Sequence, residues 1–160
     1  MQISALPDHS RVWIFQSDRI LTAQEEKFIQ DELNQFIPHW AAHGQHLYGA
    51  FEVRSNLFIV IAVDEHKAPA SGCSIDALTR VIKDLGARLK VDFFNRLCLT
   101  VEREPGHIDL ISMEGFKREI IDGKINMDTI VFNNLVNTIE EYQNHWEVPA
   151  HESWHNRFLP

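Results

Sequence analysis

The chain has 160 residues, 44% of them hydrophobic and 24% charged. That is enough for one domain with its own core, and it excludes a disordered or low-complexity chain. Lys and Arg number 15 and Asp and Glu 23, so the formal charge is −8. Because a net negative chain repels phosphate backbones, and because the longest basic run is only Lys117-Arg118, we expect no nucleic-acid partner.

The first half of the chain predicts three strands and one helix. Residues 12–15 are β-branched and aromatic, as in a buried strand. Thr22 and Glu25 form a capping-box pattern that starts a helix, and Pro38 stops it. Residues 47–53 alternate as a half-exposed strand does, and the apolar run 57–63 predicts the most buried strand.

The second half begins with a helix that Ser74 is expected to cap. Its core face comprises Ile75, Leu78, Ile82 and Leu85. Two strands at 97–101 and 108–111 are joined by a turn, and a short helix follows at 114–121. A strand at 129–132 and a last helix, with the capping pattern of Thr138 and Glu141, complete the series.

This order, β-α-β-β-α-β followed by β-α-β-α, predicts an α+β fold: a mainly antiparallel sheet with helices on one face. The first six elements match a ferredoxin-like βαββαβ core, and the remainder forms a C-terminal extension. We expect one domain over residues 1–160. Residues 147–160 carry enough apolar surface to predict a tail packed on that domain, with Trp154 substantially buried.

Targeting signals are weak in this sequence. The first residues show no basic segment followed by a long apolar one, and the longest apolar run is far below the roughly 20 residues that span a bilayer. The two cysteines, Cys73 and Cys98, form no disulfide framework of the kind that small secreted domains use. We expect a cytoplasmic protein without membrane insertion.

Two histidine patterns suggest metal binding, but neither is favoured as a metal site. Residues 151–155 spell H-E-x-x-H, but the motif follows Pro149 and only five residues with no further acidic or histidine ligand come after it. His39, His43 and His46 have no acidic residue or cysteine among them, so solvated imidazoles are favoured and their function stays open. We therefore predict neither a metal nor a cofactor.

Nucleotide motifs are absent from the sequence. No segment matches G-x-x-x-x-G-K-[ST], since Gly123-Lys124 is followed by Ile125 and preceded by Arg118 where the first glycine belongs. There is likewise no G-x-G-x-x-G and no G-x-S-x-G. ATP hydrolysis by the Walker-type route is excluded.

The loop at residues 64–76 is the richest candidate site. Asp64 and Glu65 end the buried strand, and a turn of small residues leads to a helix N-terminus, where free N–H groups favour anions and thiolates. Cys73 is the candidate nucleophile, with Asp64 and Glu65 as candidate catalytic carboxylates and His66 as a candidate base. The candidate ligand-binding residues are Ser71, Gly72, Ser74 and Asp76. The alternative is a structural loop in which Cys73 packs, Ser74 caps and Asp76 favours the helix dipole.

Several strings carry a resemblance to a known family. They are residues 13–17 (Trp-Ile-Phe-Gln-Ser), 42–44, 63–65, 70–76 (Ala-Ser-Gly-Cys-Ser-Ile-Asp), 130–136 and 153–155 (Ser-Trp-His). Together they resemble a family of small bacterial proteins of undetermined activity, often labelled "ABC transporter ATPase". The resemblance spans nearly the whole chain. It implies no particular substrate or catalytic residue, and it directs attention to the loop at 64–76 and to Trp154.

Two functional hypotheses follow. The first is a small-molecule or anion-binding protein with its site at the loop 64–76, and a thiol- or carboxylate-dependent enzyme is its sharper form. The second is a non-catalytic interaction module whose exposed aromatics, such as Trp40, Trp146 and Trp154, meet a protein partner or a second copy of the chain.

Overall fold

The computed structural model describes residues 2–160, and all strand pairings within them are antiparallel. The strands are β1 (Arg11–Gln16), β2 (Ala41–Ala42), β3 (Gln45–His46), β4 (Gly49–Arg54), β5 (Phe58–Val63), β6 (Cys98–Glu104), β7 (His107–Ser112), β8 (Ile130–Phe132) and β9 (Glu147–Pro149). The helices are α1 (Ala23–Phe36), α2 (Gly72–Leu89), α3 (Met113–Ile121) and α4 (Ile139–His145). The predicted α+β class with mainly antiparallel sheets is confirmed.

The first sheet has the order β1-β5-β4, and β5 is buried along its whole length. Alternate side chains of a strand point to opposite faces. Ile59, Ile61 and Val63 face α1 and α2, whereas Phe58 and Val60 face the second sheet. The uninterrupted apolar run at 57–63 is explained by this burial on both faces.

The second sheet has the order β7-β6-β8-β9. On its inner face, Ile108 and Leu110 pack towards the first sheet. On its outer face, Val101 and Val131 form a third cluster with Phe116 of α3 and with the residues that follow β9. The molecule is thus layered as two helices, a sheet, a second sheet, and an outer layer of α3 and the last residues.

The ferredoxin-like arrangement is not confirmed, because the strand after α2 does not join the first sheet. The chain turns back tightly at the end of α2, where a Cβ on Gly86 would lie only 2.7 Å from the Val91 carbonyl oxygen. The outer edge of β1 is paired at its start, where the Val12 N–H donates to the Asn137 carbonyl and Arg11 and Thr138 form an isolated β-bridge. β6 pairs instead with β7 and β8 in a second sheet.

The helix starts follow local sequence signals with one correction. Thr22 and Glu25 form the predicted capping box, and the Thr138 side chain accepts a hydrogen bond from the Glu141 N–H. The cap of α2 is Ser71 rather than Ser74, because Ser74 is the third helical residue and completes a capping box with Ser71. Cys73 therefore lies within the first turn of α2.

Candidate functional site

A cavity of about 630 Å³ lies where the edge strand β1 of the first sheet meets β6 and β8 of the second. We call it the inter-sheet cavity. Its lining residues are Ile14, Phe15, Gln16, Phe93, Phe94, Asn95, Arg96, Cys98, Leu99, Thr100, Phe132, Asn134, Leu135, Trp154, His155 and Arg157. Leu99, Phe132 and His155 are buried, whereas Leu135, Arg96 and Arg157 are exposed, so the cavity has a closed end and an open mouth.

The cavity arises because two neighbouring strands separate. β6 and β8 are paired through Val101 and Val131 alone among the described residues. Beyond that pair, β8 continues beside β9, from Ile130 opposite Pro149 to Phe132 opposite Glu147. The start of β6 is left without a strand partner on this side, and the space between the diverging chains is the cavity.

A chain of side-chain amides crosses this gap. The Gln16 Nε2 donates to the Cys98 carbonyl oxygen at 3.0 Å, and its Oε1 accepts from the Asn134 Nδ2 at 2.9 Å. The Asn134 Oδ1 in turn accepts from the Trp146 indole N–H at 2.9 Å. Gln16 therefore makes a hydrogen bond to β6 that a neighbouring strand would otherwise make. Its contacts also fix the positions of its own side-chain amide and that of Asn134 in the cavity lining.

The Thr100 hydroxyl is the least satisfied polar group of the cavity. Thr100 is 1% exposed, and its Oγ1 has no hydrogen-bond partner among residues 2–160. A buried hydroxyl without a partner costs roughly 1–3 kcal/mol and is uncommon in native proteins. Thr100 belongs to the cavity lining, but its Oγ1 is itself closed off from the open space.

His155 provides a buried, uncharged imidazole at the same wall. It is 1% exposed, stacks on Trp154 with ring centroids 4.0 Å apart, and places its Nδ1 2.7 Å from the Ser153 hydroxyl. Burial lowers the pKa of His155 from 6.5 to about 4, so the ring is neutral at physiological pH. The contact with Ser153 orients the ring and leaves Nε2 as its second hydrogen-bonding group.

Cys98 lines the cavity as an unreactive thiol. Burial and the negative charge of Asp18 raise the pKa of Cys98 above its ordinary value. Asp18 itself is not a lining residue, and its carboxylate accepts a hydrogen bond from the Asp92 N–H. A neutral thiol at this position is a packing group rather than a nucleophile.

The two predicted catalytic carboxylates of the loop 64–76, Asp64 and Glu65, already have hydrogen-bond or ion-pair partners in the molecule. Although burial opposes it, hydrogen bonds from His9 and from the His66 N–H hold the pKa of Asp64 below its ordinary value. The rings of His9 and His66 stack with centroids 3.6 Å apart. The Glu65 carboxylate accepts from the Ala70 N–H and lies 3.7 Å from Arg11. Both carboxylates thus shape the loop.

The predicted ligand-binding residues of that loop lie at the start of α2. The Ser71 and Ser74 hydroxyls accept from each other's backbone N–H groups, and Ser74 is buried with its carbonyl oxygen held by the Trp40 indole. Gly72, Cys73 and Asp76 are exposed. The loop residues come together as a helix cap, and none of them lines the inter-sheet cavity.

The two histidines of the H-E-x-x-H string do not share a helical turn. Ala150–Glu152 and Trp154–Phe158 are separate 3-10 turns with Ser153 between them. His151 is exposed with its Nδ1 2.8 Å from the Met127 carbonyl, whereas His155 is buried. Within residues 2–160, no group of three or more histidine, cysteine or acidic side chains is arranged to hold a metal ion.

The tryptophans require a correction, since two of the three that were expected at a partner surface are inside the molecule. Trp40 and Trp146 are each 2% exposed. Trp40 packs with Phe36 and donates to the Ser74 carbonyl, and Trp146 packs between Phe58 and Phe132. Each indole is large enough to form the centre of a core cluster.

The last residues of the described chain contact the second sheet. Trp154, Phe158 and Leu159 pack against the cluster around Phe116. Trp154 is half-buried rather than enclosed, because its ring stacks on His155 and also lines the cavity. No helix in the described chain is long and apolar enough to cross a membrane.

A second polar cluster was not identified from the sequence; it comprises Glu52, Arg54, Tyr142, Glu102 and Glu147. The Tyr142 hydroxyl donates to Glu52 and is also contacted by Arg54, and burial together with Glu52 raises the pKa of Tyr142. Nearby, the carboxyl of Glu102 raises the pKa of Glu147. The members of this cluster pair with one another, and Glu147 is exposed.

Sequence analysis did not identify the cavity, because its residues come from four distant segments with no shared motif. Polar residues next to apolar strands, such as Gln16 and Asn134, are the only local signal. Comparison of the chain with protein-family models, with curated proteins and with solved structures finds no match. The assignment of a function therefore depends on the geometry of the chain itself.

Proposed function

We propose that the protein binds a small organic molecule in the inter-sheet cavity. The observation that carries this proposal is the cavity itself, where four distant segments enclose one space lined by apolar walls and a few fixed polar groups. None of the residues of the loop 64–76 lines this space, and the carboxylates of Asp64 and Glu65 and the hydroxyls of that loop are paired within it.

The size and composition of the cavity support the same function. Its volume of about 630 Å³ lies within the roughly 300–1,000 Å³ that is typical of small-molecule sites. The walls combine aromatic and aliphatic side chains with a few fixed polar groups, namely Gln16, Asn134, Thr100 and His155. Such a mixture binds the body of a ligand by apolar contact and its orientation by hydrogen bonds.

The family resemblance is in accord with this location. Three of the strings that carry it, at residues 13–17, 130–136 and 153–155, contribute Gln16, Asn134 and His155 to the lining. A cytoplasmic location and the membership of that family are part of the proposal. Binding at the loop 64–76 with Cys73 as nucleophile stays a separate prediction.

The experiment compares two variants that add the same side chain at different places. Leu135 is 64% exposed at the mouth of the cavity, and Ile121 is 84% exposed on α3, away from it. We expect Leu135→Trp to close the cavity and Ile121→Trp to leave it open. Binding is measured with two fluorescent probes, N-phenyl-1-naphthylamine and 8-anilinonaphthalene-1-sulfonate.

At least one probe should bind the parent with one-to-one stoichiometry and perturb the side-chain amide resonances of Gln16 and Asn134 in NMR spectra. Leu135→Trp should weaken that binding by about ten-fold or more, and Ile121→Trp should not. If neither probe binds, or if the two variants bind equally, the proposal is wrong.

The interaction module remains the second candidate function because Phe94, Leu97 and Leu135 are exposed apolar residues, two of them at the mouth of the cavity. This candidate predicts dimerisation that depends on protein concentration. Sedimentation of the parent and of Leu97→Glu separates the two: a dimer that Leu97→Glu dissociates would favour the module.

A further inference from the structure

We propose that the ligand of the inter-sheet cavity is an organic anion with a flat apolar body, whose negative group is held at the mouth by Arg96 and Arg157. This inference rests on the proposed function and adds the chemical class of the ligand. It follows from the charge of the lining, from the two arginines without a carboxylate partner and from the aromatic residues beside them.

The lining is positively charged in an acidic protein. Arg96 and Arg157 belong to it, and no aspartate or glutamate does. The chain as a whole carries a formal charge of −8. A cleft lined by positive charge attracts negatively charged ligands and raises their local concentration.

The two arginines have no carboxylate partner within the described chain. Five other arginines, at positions 11, 19, 54, 88 and 103, each lie within 4.0 Å of a carboxylate. Arg157 instead lies over the Trp154 ring, 5.5 Å from its centroid. A guanidinium on an aromatic face keeps its N–H groups free for a carboxylate or phosphate.

The walls beyond the arginines are apolar and aromatic. Phe93 is 4% exposed, Phe94 is exposed at the surface, and both line the cavity together with Trp154. Aromatic walls favour a flat apolar ligand through area burial and ring contacts.

The other polar groups of the lining carry no formal charge. The side-chain amides of Gln16 and Asn134 hydrogen-bond to each other, and the ring of His155 is neutral at physiological pH. Arg96 and Arg157 are therefore the charged side chains of the lining. A ligand that matches this lining has an apolar body, uncharged hydrogen-bonding groups and one anionic group.

The test compares two probes with the same aromatic framework. 8-Anilinonaphthalene-1-sulfonate carries a sulfonate, and N-phenyl-1-naphthylamine lacks it. We expect the sulfonate probe to bind the parent about ten-fold more tightly at neutral pH and low salt. The double variant Arg96→Gln/Arg157→Gln should abolish this preference.

The matched control is Arg80→Gln/Arg118→Gln. It lowers the net charge by the same two units, and neither arginine lines the cavity or has a carboxylate partner among residues 2–160. The preference for the sulfonate probe should survive in this control. All four positions are exposed, so circular dichroism should show parent-like folding in both variants.

The outcomes separate the two proposals. If both probes bind equally in the cavity, the anion preference is wrong and the proposed function stands. If neither binds, both proposals fail. A preference that persists in Arg96→Gln/Arg157→Gln also overturns the inference, because the anion is then held elsewhere. Displacement of the bound probe by 1-naphthoate or by 1-naphthyl phosphate identifies the carboxylate or phosphate class, and failure of both to displace it contradicts the assignment.

Discussion

Thr100 illustrates how a single buried hydroxyl can lower stability. Its methyl group packs in a buried strand, while its hydroxyl has no partner in the described chain. Selection for stability alone would favour valine here, because valine keeps the shape and removes the unpaired hydroxyl. The unpaired hydroxyl is therefore a cost in stability that the folded chain carries.

Replacing Thr100 with valine should therefore stabilise the protein. We expect Thr100→Val to raise the free energy of unfolding by about 1 kcal/mol in urea titrations. The control is Thr138→Val, which removes the cap of α4 and should lower it by about 1 kcal/mol. A loss of stability in Thr100→Val would show that its hydroxyl has a partner after all.

His155 should make the protein sensitive to mild acid. Its pKa is about 4 in the folded protein against 6.5 when unfolded, so between these values the unfolded chain binds the extra proton. The stability of the fold that depends on a neutral His155 is fully present above pH 6.5 and is lost as the pH falls towards 4. Over that window the loss amounts to about 3 kcal/mol.

The measurement is the free energy of unfolding against pH for the parent and for His155→Asn. The variant should be less stable at neutral pH and should show a shallower decline on acidification. His145→Asn, at an exposed position, serves as the control and should follow the parent. Parallel curves for the parent and His155→Asn would contradict a buried neutral imidazole.

The two cysteines should react with very different rates. Cys73 is exposed on α2, whereas burial and Asp18 raise the pKa of Cys98 and leave little thiolate there at neutral pH. With iodoacetamide, peptide mass spectrometry should find Cys73 modified about ten-fold faster or more. Both cysteines should react at similar rates in the urea-unfolded control. If they also reacted at similar rates in the native protein, the start of β6 would have to open readily.

At the scale of elements, helix starts were predictable because their signals are local. A capping box needs only residues three apart, as in Thr22 with Glu25. The start of α2 was misplaced because Ser71 and Ser74 are both good caps, and only the observed reciprocal hydrogen bonds distinguish them. The β2–β3 hairpin was missed because its residues lack the alternation of a strand, and its turn depends on the left-handed backbone of His43 and Gly44.

The last elements should contribute to stability unequally. Trp146 is enclosed by Phe58 and Phe132, whereas Trp154 is half-buried beside the cavity. Trp146→Ala should lower the free energy of unfolding by roughly 3–5 kcal/mol. Trp154→Ala should cost about 2 kcal/mol, because less apolar area is lost.

Urea unfolding of both variants checks this order. Removal of residues 150–160 should have a larger effect than Trp154→Ala, since it also removes His155, Phe158 and Leu159 from the outer layer. At roughly 2–4 °C for each kcal/mol, the melting temperature should fall by many degrees. A truncated protein that melts like the parent would mean that these contacts do not form in solution.

At the scale of the whole molecule, strand content was predictable and strand partnership was not. The apolar run of β5 shows that this strand is buried on both faces, but it does not show which edge another strand will occupy. Here the start of the β1 edge is taken by residues 137–138, which lie more than a hundred positions away. The gap that becomes the cavity follows from another partnership, because β8 pairs with β6 at one residue and continues beside β9.

The same long-range assembly has a consequence for the order of folding. Contacts between β1 and residues 134–138 join segments at opposite ends of the described chain, and such high contact order slows folding. During synthesis, β1 and β5 emerge long before residues 154–157, so the inter-sheet cavity has only part of its wall until these have left the ribosome. Its ligand can recognise only the finished arrangement, and binding would therefore favour completely synthesised, correctly assembled molecules over nascent ones.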